Sequence, residues 1–154
     1  KHAEARSAEQ RIEGFRAEIA EHPSFQIVAE ADCSGQLERA MPAMEKMLME
    51  HPEIDTVMAL NDPAALGAIA ALQSAGPMPG DTMVYGVDGV PESRELIRTG
   101  WMTATAVQSP RGIGRMAAEE AYRILSGESA ADIDLPTRLL TRANMDENDD
   151  GGWD

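Results

Sequence analysis

The sequence holds one cysteine, Cys33, and three histidines among 154 residues. A lone cysteine excludes an internal disulfide and any cysteine-based metal cluster. His2, His22 and His51 are scattered. His22 and His51 each precede a proline at the end of a helical stretch, where a helix-terminal role fits better than a ligand role. Basic residues are scarce: 13 Lys and Arg stand against 27 Asp and Glu, a formal charge of −14. A surface of that sign repels phosphates, which disfavours nucleic acid and anionic membranes as partners and leaves neutral ligands open. No run of about 18 apolar residues could insert into a bilayer, and no signal-peptide pattern is visible. No GxGxxG or Walker spacing supports nucleotide binding. No Ser-His or Cys-His arrangement supports nucleophilic catalysis. The sequence therefore offers no catalytic set, no cofactor and no metal site, and it reads as a binding module.

What is present is an apolar fraction of 43%, enough for a core, laid out as alternating strands and helices. Residues 3–22 carry Ile12, Phe15 and Ile19 at helical spacing. Residues 25–31 alternate like a strand, Ser34 is a candidate N-cap, and a helix follows from about Leu37 to His51 with Pro42 inside it. Strands are predicted at 54–60, 82–87, 102–107 and 135–141, with helices at 62–75, 91–98 and 111–126. This alternation predicts an α/β, Rossmann-like fold: a mostly parallel sheet with helices on both faces.

The chain is organised around Leu60-Asn61-Asp62-Pro63-Ala64-Ala65-Leu66-Gly67-Ala68. An apolar run ends at Asn61, Asp62 stands where an N-cap belongs, and Pro63 suits the first helical turn. Two later strands end in Asp88 and Gln108. Open α/β sheets bind ligands at the carboxyl edge of their strands. Two amides and one carboxylate there can donate to, and accept from, neighbouring hydroxyls. That set fits a neutral polyhydroxylated ligand and is poor for phosphate. Each residue alone has a plainer reading, Asn61 and Asp88 as turn residues and Asp62 as a cap. Their coincidence at one edge carries the functional reading. The four methionines at 41, 44, 47 and 49 read as packing.

Asn61–Ala68, Tyr85-Gly86-Val87-Asp88-Gly89 and Ala104-Thr105-Ala106-Val107-Gln108-Ser109-Pro110, with Arg11-Ile12-Glu13-Gly14-Phe15 before them, closely resemble the ribose-type periplasmic sugar-binding proteins of ABC transporters. The likeness runs from about Arg11 to Asn144. It implies that Arg11, Asn61, Asp88 and Gln108 bind sugar hydroxyls in a cleft between two lobes. Cys33 and Val87 match positions where that family often stacks an aromatic ring on the sugar, so apolar contact is reduced here. The resemblance further implies membrane permease subunits as partners and a periplasmic or extracellular location, with or without a lipid anchor. The same fold serves as the effector domain of LacI-type regulators, the alternative reading. Those more often carry a second acidic residue where Gly89 stands.

In such proteins a strand precedes the helix that carries Arg11, and it lies between those matching 25–31 and 54–60. The chain is thus expected to be one lobe of a two-lobed binding protein with its first strand missing. Residues 1–108 with 137–144 would form the lobe. Residues 109–136 would be a helix and linker that pack on the other lobe, and 145–154 an acidic tail. The unpaired edges and the uncovered helix would favour self-association and leave at best weak sugar binding by the isolated chain.

Overall fold

The apolar runs and capping signals become five helices and four strands in a computed structural model that describes residues 6–145. In chain order they are α1 (Arg6–Ala20), α2 (Leu37–Glu50), β1 (Thr56–Met58), α3 (Asp62–Ala75), β2 (Met83–Asp88), α4 (Pro91–Thr99), β3 (Ala104–Val107), α5 (Pro110–Leu125) and β4 (Arg138–Thr141). The sheet order is β1-β2-β3-β4. The first three strands are parallel, and β4 runs antiparallel to β3. Most of the acidic tail lies outside the described residues.

Register puts Val57, Val84, Gly86, Thr105 and Leu140 on one face of the sheet. Val84, Thr105 and Leu140 are buried there, and Ala65 of α3 approaches Gly86. Alanines at 64, 65, 68 and 71 let α3 lie close to the sheet and to α2. The other face is covered only in part. Val87 and Ala104 are buried, whereas Met58, Met83 and Leu139 are exposed. Two-sided helical cover, predicted from the alternation, is therefore complete on one face alone. Among the described residues α5 buries none of its side chains, and Ile113, Tyr122, Ile124 and Leu125 face solvent.

Two expectations are corrected. Residues 25–31 form no strand. Ile27, Ala29, Glu30 and Ala31 instead line an apolar cavity of about 250 Å³ between α1, α2 and β1. A strand also needs a neighbour to supply its ladder, and none adjoins this segment among the described residues. The other edge of β1 is bare for the same reason. Bonds to β2 run through Asp55, Val57 and Ala59, so the peptide groups of Thr56 and Met58 point toward the cavity. The buried hydroxyl of Thr56 also lacks a partner. Second, α2 is capped at Gln36 without a side-chain bond. Ser34 instead sits in the preceding turn at φ 52°, its N–H donating to Asp32.

The α2–α3 contact rests on Gly67. A Cβ there would stand 2.6 Å from the Leu37 carbonyl oxygen and 2.7 Å from the Ala40 Cβ. Alanine is the better helix former by about 1 kcal/mol, yet a backbone carbonyl cannot yield as a side chain can. Gly67→Ala is expected to destabilise the fold by a net of about 1–2 kcal/mol. A lower urea midpoint at unchanged m-value is the expected readout, and an unchanged or higher midpoint would contradict this account of the helix contact.

Candidate functional site

Strand-end residues and one helical arginine meet at the carboxyl edge of the parallel strands. Arg11, in the middle of α1, donates from Nη1 to the Leu60 carbonyl at 3.1 Å and places Nη2 3.5 Å from Asp88 Oδ1. Gln108, just after β3, donates from Nε2 to the same Asp88 oxygen at 2.6 Å. The Arg11 and Asp88 side chains are about three-quarters buried, with 24% and 25% exposure. The ion pair is therefore shielded but open on one side. An arginine on a helix surface gives no pattern of its own, and the resemblance alone singled it out. The structure brings it to the strand ends.

Asn61 shares this edge, and it is the N-cap of α3. Its Oδ1 accepts from Ala64 N–H at 3.1 Å, and its Nδ2 donates to the Gly35 carbonyl at 3.1 Å. This corrects the capping role expected of Asp62. Asp62 is fully buried and turns under the sheet edge. There it accepts from the N–H groups of Gly89 and Val90 and from the Thr105 hydroxyl. Both residues can cap a helix; the one nearer the strand does so, because the next position points back into the core. Thr105 was not anticipated, although a lone hydroxyl on the buried face of an alanine-rich strand is the signal for it. Cys33 is half-buried and lines the apolar cavity beside Leu60. Val87 is buried, on the opposite face of β2 from Asp88.

The Asp88 carboxyl is pushed up from its ordinary range, first by loss of solvent. Arg11 opposes that shift, the Asp62 carboxylate adds to it, and the bond from Gln108 opposes it. Its backbone is strained as well, at φ 126°. The arrangement is a largely buried array of cationic donor, carboxylate acceptor and two amides, open on one side. Such an array exchanges hydrogen bonds with hydroxyl groups. Among the described residues no cluster of His, Cys, Asp and Glu could hold a metal ion, and no helix is long and apolar enough to cross a membrane.

Comparison with known proteins identifies the family. The family described as "Periplasmic binding protein domain" matches residues 1–129. The chain belongs to that family. It is 37% identical over 122 residues to the ribose import binding protein RbsB of Escherichia coli (strain K12), covering 79% of this chain and 40% of that protein. It is 28% identical over 140 residues to the D-allose-binding periplasmic protein of the same organism, covering 87% of this chain and 45% of that one. The fold superimposes with a TM-score of 0.83, at 33% identity, on a solute-binding protein of Bacillus halodurans solved with myo-inositol, covering 89% of this chain and 47% of that one. These relatives are solute-binding proteins of transport systems, not enzymes. The chain spans less than half the length of each of them.

The cost of ionising Asp88 has a measurable signature. Because its folded pKa is raised, its contribution to stability is full below the ordinary carboxylate range and is lost as pH rises through the raised value. Asp88→Asn keeps an acceptor for Gln108 and tolerates positive φ, but carries no charge. In the ligand-free protein the variant's melting temperature should match the wild type near pH 3.5 and exceed it at pH 7, on the order of the usual carboxylate window. Thermal unfolding followed across that range tests this, and a wild type that is the more stable at neutral pH would contradict it.

Proposed function

We propose that this chain is the carboxy-terminal lobe of the solute-binding component of an ABC transporter, binding a monosaccharide or related polyol between two lobes. The observation that carries the reading is the convergence of Arg11, Asn61, Asp88 and Gln108 at one sheet edge. Asp88 accepts from two neighbouring sugar hydroxyls, Arg11 and Gln108 donate to others, and Asn61 uses the N–H and lone pair that its cap leaves over. Of the two positions expected to line the cleft, Cys33 lines the neighbouring apolar cavity and Val87 is buried on the opposite face of β2 from Asp88, and neither supplies an aromatic platform. The relatives' names point to the same chemistry, since they are described with ribose, D-allose and myo-inositol.

The division of the chain follows from the same reading. Residues 1–108 with 137–144 make the lobe, and 109–136 carry a helix that seats on the other lobe. The uncovered apolar side of α5 supports this. The bare edge of β1 and the cavity beside it have the character of a place for one more strand. Permease subunits in the membrane are the partners, and the location is periplasmic.

In the full-length polypeptide, Asp88→Ala should weaken binding of its sugar by about 1.5–3 kcal/mol, the scale of a charged hydrogen bond. Titration calorimetry with D-ribose, D-allose and myo-inositol measures this. Unchanged affinity in the variant would remove Asp88 from the site. Failure of the wild type to bind any sugar or polyol of a wider panel would sink the function itself.

A further inference from the structure

The geometry points to Asp62 as the positioning residue of the site: a carboxylate with no access to ligand that holds the chain beyond Asp88 so that the Asp88 side chain meets its partners. This rests on the sugar-binding reading above.

Asp88 ends β2 at φ 126°, a conformation that residues with a Cβ rarely adopt, and Gly89 follows at φ 79°. Something must hold that turn against relaxation. The side-chain contacts of Arg11 and Gln108 act on the Asp88 side chain, and the peptide that follows it receives only a long bond from above, Gln108 N–H to the Asp88 carbonyl at 3.4 Å. The peptides beyond Asp88 are held from below. Gly89 N–H donates to Asp62 Oδ2 at 2.8 Å, and Val90 N–H donates to the same oxygen at 2.9 Å. The other oxygen, Oδ1, accepts the Thr105 hydroxyl at 2.7 Å, and Thr105 Oγ1 in turn accepts from Gly89 N–H at 3.2 Å. Two consecutive N–H groups on one oxygen fix two successive peptide planes, and so fix the direction in which Asp88 leaves the strand.

The surroundings are built around this carboxylate. Asp62 is fully buried, and burying a charge is costly without several donors. Helix capping does not account for it, because Asn61 caps α3. A Cβ at Gly86 would run into Asp62 Oδ1, so β2 leaves room for the carboxylate at that point. Without Asp62, Val90 N–H loses its acceptor and Gly89 N–H keeps only the longer bond to Thr105 Oγ1. The strained residue relaxes, and its carboxylate leaves the reach of Arg11 and Gln108.

The test uses the full-length polypeptide, with D-ribose, D-allose and myo-inositol as probes in calorimetry. Asp62→Asn keeps the shape of the side chain but presents an amide to the two N–H groups. It should weaken binding of the sugar that the wild type takes by about tenfold to a hundredfold. In an Asp88→Asn background the same change should cost less than about threefold, because Asp62 acts through Asp88. Equal losses in both backgrounds would mean a general structural role and overturn the proposal, as would unchanged affinity. Thr105→Val should weaken binding in the same way, and Thr105→Ser should recover it; this pair decides the matter if Asp62→Asn does not fold. Amide hydrogen exchange at Gly89 and Val90 supplies a readout without ligand. It should accelerate at least tenfold in Asp62→Asn and Thr105→Val while exchange in α3 is unchanged. If the wild type binds none of the three probes, the sugar reading fails for them and exchange alone judges Asp62; unaltered exchange at Gly89 and Val90 would overturn its role.

Discussion

The Asp62 carboxylate is the group that three elements share. It starts α3, accepts from the turn that leaves β2, and takes the hydroxyl of β3. Each of these contacts crosses at least 27 residues of chain. The carboxyl edge of the sheet is therefore tied together by a charge-assisted knot beneath its surface, and the partly buried array of Arg11, Asp88 and Gln108 sits on top of it. An edge assembled only from side chains on loops would shift with every loop. Here the loops are short, and the knot ties α3 to β3 across 43 residues of chain.

Much of this edge was legible in the sequence. Asn61, Asp88 and Gln108 each follow an apolar run that is long enough for a strand and too short for a helix, and all three precede a proline-led helix. Local rules suffice there. They failed where the deciding contact is distant in sequence. Arg11 faces a strand end because α1 packs across it, and a charge on a helix surface carries no trace of that. Asn61 and Asp62 are equivalent as caps until the direction of the strand before them is known. Residues 25–31 alternate as a strand should, but pairing needs a neighbour that local pattern cannot supply.

The division between covered and uncovered surface follows the same logic. Small residues on α3 and Gly67 against α2 give one face of the sheet a close-packed layer. The opposite face, the edge of β1 and the whole of α5 keep Met58, Leu139 and Ile124 in solvent. Apolar residues at such positions lower stability for the lobe by themselves and make sense against a further surface. The charge of −14 opposes association of like copies, so the sign of the surface discourages the contact that its apolar patches would otherwise favour.

Arg11, Asp88 and Gln108 already satisfy one another before anything enters the cleft. If a sugar binds there as proposed, an incoming hydroxyl competes with an existing partner, and the count of bonds changes little when it succeeds. Recognition becomes a matter of replacement: a guest must offer donors and acceptors at the spacing of the contacts it displaces, or the lobe reverts to its own closed circuit. A molecule with the right number of hydroxyls on the wrong carbons breaks bonds that it does not restore. On the sugar-binding reading proposed above, stereochemical discrimination would follow from that.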